Sequence, residues 1–516
     1  MPLFELDITR PTTKQSDISI AKKSSIVAKP QIKISGGSTL IDRIKAIELT
    51  VEKSLGQYKD QYIIINQKDT LHDYITECIG NGYISIDTET DGLDPLMNTI
   101  AGICPYTYGQ KGAYIPLNHI SYITNQKSQG QLPIDFVIQE FNRLLAKRPD
   151  IDMFNAPFDI RVLRHMGLTN IYCTWDCYIG ARLLNENEPT NQLKPLHNKY
   201  CLDGKGDAFR FDDLFKGIPF TMIPYKTGYL YAAHDSVITS EYGDFQRKYL
   251  YYDADKSFED RNGMNGVAWA FHNIEMPVLE VIANMEDEGI EIDLDYTKKL
   301  SEEYNIKLTK QKAYCESLCH EYHDQIEQYR MLNRNKKLDN PINIASSQQL
   351  SILFYDILKI EPPDPKQPRG TGEDILQKID LPIAKAIIDY RGLSKLIDTY
   401  IDKMPNCINP NDGRIHCKFN SYGADTGRMS SSDPNMQNIP SSNHDIRPMF
   451  TATNMSEVII FDTDDYLEVD NFTDIETDDG WVFTPAIKIG DKLNLDGDMF
   501  VVKNVEEHDG KIRIYL

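Results

Sequence analysis

The chain has 516 residues, of which 41% are hydrophobic and 26% charged, with a formal net charge of −22. That length provides for about three domains and excludes a lone small binding module. No apolar run approaches the roughly 18 residues of a membrane span, the start (MPLFELDITRPTTKQSD) lacks the apolar core of a secretory signal, and nine cysteines without C-x-x-C pairs exclude a zinc fold or disulfide scaffold and point to the cytoplasm.

In chain order, residues 1–60 are polar and Ser/Thr/Lys-rich and read as a flexible leader, with a short helix near Leu40–Leu55 at its end. Compact structure is expected to begin at Tyr62–Asn66. From there β-like runs (Tyr83–Glu89, Thr99–Cys104, Ala113–Pro116, Ile151–Phe154) alternate with helical patterns such as Ile134–Lys147, which predicts an α/β domain over 61–255. Past Tyr252 long helical patterns take over, at Val278–Gly289, Leu294 to about Leu332, and Pro382–Met404. The segment Asp412–Pro440 reads as short strands and ordered loops. Beyond Ser456, Asp-Gly turn signals at Asp479-Gly480, Asp496-Gly497 and Asp509-Gly510 separate alternating apolar strands, so a small β-rich unit is predicted over 456–516. That tail has 16 acidic against 5 basic residues, half of the net charge.

Asp87 and Glu89 stand two residues apart on a predicted strand, so their carboxylates share one face. Asn155/Asp159 and Tyr231/Asp235 each place two polar groups four residues apart on one side of a helix. A lone D-x-E is more often a solvated face, and Asn or Asp at a helix start is ordinary. Together, however, four acids from three elements suit two divalent cations, which take hard oxygen ligands and stabilise both oxygens of a phosphodiester displacement. A phenol beside them would orient the attacking water.

The segments IDTETDGLDP, NAPFD and YAAHD resemble the three exonuclease motifs of the DnaQ-like 3′-5′ proofreading domain of bacterial and phage family A DNA polymerases, and Trp175–Tyr200 resembles the stretch between the second and third motifs. The resemblance implies a ribonuclease H-like fold. It implies Asp87, Glu89 and Asp235 as direct ligands of two divalent ions (Mg2+ or Mn2+), Asp159 as a ligand largely through water, Tyr231 as the residue that positions the water, and Asn155 as a DNA contact. Ile274–Asp293 is similar to the opening of the family's polymerase region, and Ile342–Leu358 with Ile387–Pro405 to its mainly α-helical thumb, giving a thumb and partial palm over 256–455. DTGRMSSSDPNMQNIPSS and DIRPMF resemble its primer-template motif, in which Arg and amides hold the sugar-phosphate backbone without reading bases. Arg428, Asn435, Gln437, Asn438 and Arg447 are the contacts this implies.

After Ile460 the resemblance breaks. Asp462, Asp464 and Asp465 lack the neighbours of the family's first palm aspartate, and neither a fingers helix nor a second palm carboxylate follows. Gly480–Asp498 is weakly similar to the first strands of the Hint fold of inteins, with Ser456 a poor stand-in for the splicing nucleophile. The expectation is the exonuclease and primer-template-binding part of a split or interrupted polymerase, acting on a single-stranded 3′ end and a duplex. A second polypeptide would supply fingers and palm, and polymerisation by this chain alone is not expected. A stand-alone exonuclease and a splicing precursor or scaffold remain open, as does a host-cytoplasmic location if the gene is phage-borne.

Overall fold

The computed structural model describes residues 39–206, 210–215, 217–335, 337–422, 427–440 and 443–451, together with the backbone of seven strands between 466 and 515. The positions Ser456, Asp462, Asp464 and Asp465 lie outside the described residues. The chain divides into two compact units, 1–283 and 284–516.

In the first unit, Thr39 caps helix α1 (Leu40–Leu55) in a reciprocal box with Asp42. The spacing of Ile44, Ile47, Val51 and Leu55 puts one apolar stripe inward, and all four are buried in one cluster with Leu230, Tyr231 and Ala233. Among the described residues, compact structure therefore already includes this helix, about twenty residues before the expected start at Tyr62. The helix is part of the domain and not the end of a flexible leader, because its stripe is long enough to require a partner surface.

Next come β1 (Tyr62–Ile64), α2 (Lys68–Asn81), β2 (Tyr83–Thr90), β3 (Ile100–Tyr106), β4 (Gly112–Pro116), α3 (Ile134–Leu145), β5 (Asp150–Met153), α4 (Ala156–Met166), β6 (Trp175–Asp176), α5 (Cys177–Leu184), α6 (Leu193–Cys201), α7 (Phe211–Phe215) and the 26-residue α8 (Tyr225–Leu250). The six strands form one mixed sheet in the order β1-β4-β3-β2-β5-β6, with β2 antiparallel to β3 and parallel to β5. This is the expected ribonuclease H-like α/β arrangement. β2 is covered along nearly its whole length, with Ile84 and Ile86 fully buried; burying each contributes about 1.5–3 kcal/mol relative to exposure. Gly112 lets α8 lie close on the sheet, since a Cβ there would come within 2.8 Å of the Ala233 carbonyl.

The second unit is mainly helical. Leu294–His320, capped by Asp293, packs along Pro382–Leu396. One apolar cluster gathers Leu350, Phe354, Ile383 and Ile387, and another Leu300, Tyr304, Ile401 and Met449. The helix expected over Pro382–Met404 runs as an α-helix to Leu396 and continues as a π turn at Ile397–Ile401, and the helix Ser347–Ser351 likewise continues as a π turn at Ile352–Ile357. A short strand Ile290–Ile292 pairs with Arg414–Ile415 on one side and Phe450–Thr451 on the other, tying the loop-rich segment back to the start of the long helix. In the tail, three antiparallel strand pairs (Asp474–Thr477 with Gly480–Phe483, Lys492–Leu495 with Asp498–Val501, Asn504–His508 with Lys511–Tyr515) flank the three Asp-Gly sites.

Candidate active site

Three elements of the first unit deliver the acidic cluster. β2 presents Asp87 and Glu89 on one face by strand alternation. α4 supplies Asp159, and its entry is built tightly: Asn155 adopts a left-handed conformation with φ 64°, and Pro157 stands in the first turn. The buried Asp176 carboxylate accepts hydrogen bonds from the Asn155 and Ala156 amides at 3.0 and 2.8 Å and from the Tyr178 amide, so one side chain fixes the starts of α4 and α5 together. Asp159 is then locked to β2, its Oδ1 accepting from the Thr88 amide at 2.9 Å and the Thr88 hydroxyl at 2.7 Å. α8 carries Tyr231 and Asp235 one turn apart, the first buried and the second half-buried.

The electrostatics of this cluster are strained in favour of cations. Burial pushes the Asp87 carboxyl well above the usual carboxylate range, and the Asp159, Asp235 and Glu89 charges push it further. Glu89 is raised well above its ordinary value by burial and by Asp235. Burial also raises Asp159, against the two bonds from Thr88. Glu89 Oε1 is buried with no hydrogen-bond partner. Hard oxygens that repel one another, Glu89 Oε1 among them without a hydrogen-bond partner, fit divalent cations.

One cation is built in. Lys194 on α6 donates to Asp235 Oδ2 at 2.6 Å and lies 3.8 Å from the centre of the Tyr231 ring. Burial works against its charge, but Asp235 and Tyr231 outweigh it and hold its pKa above the ordinary lysine value. Burial likewise raises the Tyr231 phenol, which stays protonated at neutral pH within a cage of Phe211, Phe215 and Phe220. His234 accepts or donates a 2.7 Å bond with the Tyr62 hydroxyl, and burial depresses its pKa to about 3, so it is neutral.

Two family models match the chain, one described as "3'-5' exonuclease" over residues 62–245 and one as "DNA polymerase family A" over 298–470. The two matched regions are those of DNA polymerase family A. DNA polymerase I of Chloroflexus aurantiacus is 27% identical, the alignment covering 75% of this chain and 39% of that protein. DNA polymerase I of Synechocystis sp. is 30% identical, covering 69% of this chain and 33% of that protein. The chain thus spans well under half the length of these relatives. The structure of the POL domain of Pol1 from M. smegmatis, in complex with DNA primer-template and dNTP, is similar with a TM-score of 0.53 at 20% identity, over 73% of this chain and 56% of that one. The family A match runs on to residue 470, past the expected start of the tail at 456.

The fold thus brings Asp87, Glu89, Asp159, Tyr231 and Asp235 together in the family's exonuclease region, with Asn155 at the mouth of α4. Arg428, Asn435, Gln437, Asn438 and Arg447 belong to the second unit, and all five are exposed. Asn435 is a loop organiser: its Oδ1 accepts from the amides of Gln437 and Asn438, both at 3.1 Å. Met436, Ile446 and Met449 anchor the two loop segments in the core, and among the described residues Arg428 and Arg447 have no ion pair. Sequence reasoning did not single out Lys194, Asp176 or Cys104. Lys194 and Asp176 lie in the segment already similar to the family, but their partners are distant in sequence. No helix among the described residues is long and apolar enough to cross a membrane.

Proposed function

We propose that the first unit is a 3′-5′ exonuclease that removes mismatched nucleotides from a DNA 3′ end, and that the second unit binds primer-template duplex. The observation that carries this is the gathering of four carboxylates from β2, α4 and α8, Glu89 and Asp159 buried and Asp87 and Asp235 half-buried, around an unsatisfied Glu89 oxygen and beside a protonated phenol. The two family A matches over these same regions support it.

Divalent metals serve both the exonuclease and polymerase domains of this family. Here Asp87, Glu89 and Asp235 would hold two such ions, Mg2+ or Mn2+, with Asp159 acting through water, and the ions would supply Lewis-acid charge for phosphodiester hydrolysis. Each residue's part follows from its surroundings. Asp159, with Oδ1 committed to Thr88, keeps only Oδ2 free, which suits an outer-sphere role. Tyr231 is too basic to lose its proton at neutral pH and therefore orients water by hydrogen bonding. Lys194 holds Asp235 in place and favours its charged form against the burial that raises its pKa. In the second unit, Arg428 and Arg447 would neutralise phosphates while Asn435, Gln437 and Asn438 shape the loop between them.

The test incubates the purified chain with an end-labelled, mismatched primer-template and magnesium. Shortening of the labelled strand is expected. EDTA should stop it, and Asp87→Ala with Glu89→Ala should reduce it by several orders of magnitude while leaving DNA binding nearly intact. Digestion by that double variant at the wild-type rate would refute the assignment.

A further inference from the structure

The acidic cluster holds one donor that its hard-cation chemistry does not call for. Cys104 on β3 stands directly opposite Asp87 in the β2–β3 register, so the two side chains share the face of the sheet that carries Glu89. Its side chain is fully buried, and Cys104 Sγ, an Asp87 oxygen and a Glu89 oxygen all lie within 4.8 Å of one another. Glu89 is itself 8% exposed, and its Oε1 has no hydrogen-bond partner.

We propose that Asp87, Glu89 and Cys104 form a thiophilic divalent-cation site, one that takes Zn2+ or Cd2+ with the Cys104 sulfur as a ligand. The proposal rests on the cation-binding reading of the same acids and adds a choice of metal to it. Two carboxylates alone favour Mg2+ or Mn2+, whereas a thiolate beside them shifts preference toward zinc and softer ions. Ligand atoms around a tetrahedral zinc ion, at about 2.1–2.3 Å from it, stand about 3.6 Å apart. The donors here must draw together by roughly 1 Å, which the free Glu89 carboxylate is placed to do. Binding replaces the S–H bond with a sulfur–metal bond, and the thiol proton passes to the buffer. A Zn2+ ion so held occupies the carboxylates that Mg2+ needs, so the site makes the exonuclease sensitive to zinc.

Cadmium is the probe, because thiolate ligation gives a sulfur-to-metal charge-transfer absorption that oxygen ligands do not. The full chain is titrated with Cd2+ as wild type, Cys104→Ser and Glu89→Gln, the other eight cysteines supplying a common background. The wild type should show an extra absorption component that both variants lack. Cys104→Ser should weaken Cd2+ binding at this site by at least about tenfold, since losing a ligand costs no less than losing a second-sphere partner. An absorption and affinity equal to wild type in Cys104→Ser would overturn the proposal.

Glu89→Gln removes a repelling charge and provides a variant whose folding does not depend on the cysteine. Cadmium NMR on the wild type gives an independent reading: a resonance in the sulfur-ligated range that is missing in Glu89→Gln supports the site, and its absence overturns it. Magnesium-dependent shortening of labelled DNA is followed in parallel. Its failure would strike the exonuclease reading, whereas active shortening without the cadmium signature would strike only the thiophilic site.

Discussion

Lys194 places an ammonium against Asp235, in a cluster whose four carboxylates repel one another, and this makes its contribution depend on whether cations are bound. Its side chain and that of Asp235 are 12% and 13% exposed, so the pair is poorly screened. Removing one partner of a buried ion pair costs about 3–5 kcal/mol, because the other charge is left uncompensated. Lys194→Met should therefore lower the unfolding free energy of the EDTA-treated protein by about 3 kcal/mol. With saturating Mg2+ the loss should be clearly smaller, because bound cations take over the compensation of Asp235. Thermal or urea unfolding with and without Mg2+ measures the difference. Equal losses in the two conditions would mean that Lys194 acts by packing alone and not as a counter-charge.

At the scale of elements, α1 stands behind α8 and so behind Tyr231 and Asp235. Ile47 is 1% exposed at the middle of its stripe, and truncating such a side chain costs about 2–5 kcal/mol. Ile47→Ala should destabilise the exonuclease unit by roughly 3 kcal/mol, measured by urea unfolding followed through activity; a change under about 0.5 kcal/mol is what a loosely attached leader would give. The strands and helices of the α/β unit were legible because their apolar periods are strong, and Asp87 with Glu89 because strand alternation alone puts them on one face. Asp159, Tyr231 and Asp235 needed the family's motifs, since nothing local says that α4 and α8 meet β2. The docking of α1 was missed because its polar, Ser/Thr/Lys-rich surroundings masked a four-residue apolar stripe. Lys194 and Cys104 were missed for a different reason. Their partners lie 41 and 17 residues away, fixed by helix packing and strand register that no local pattern encodes. The π turns at Ile352–Ile357 and Ile397–Ile401 carry no local sequence signal that we can name.

For the molecule as a whole, the balance of charge frames how DNA would be held under the proposed function. A net charge of −22 repels a polyanion at long range, and half of that charge resides in residues 456–516. Binding to a duplex must then come from local cationic contacts that act at short range, and exposed arginines without ion-pair partners have no competing salt bridge to break. Among the described residues Arg428 and Arg447 meet that condition, on loop segments anchored by Met436, Ile446 and Met449. Each phosphate neutralised releases counterions, so the logarithm of affinity falls with the logarithm of salt by about 0.9 per contact. Arg428→Ala should weaken primer-template binding across all sequences alike and flatten the salt dependence by about one unit of slope. Fluorescence anisotropy over a salt series, with two primer-templates of unrelated sequence, checks both points. An unchanged slope would remove Arg428 from the phosphate contacts, and a loss confined to one sequence would turn it from a backbone contact into a base contact.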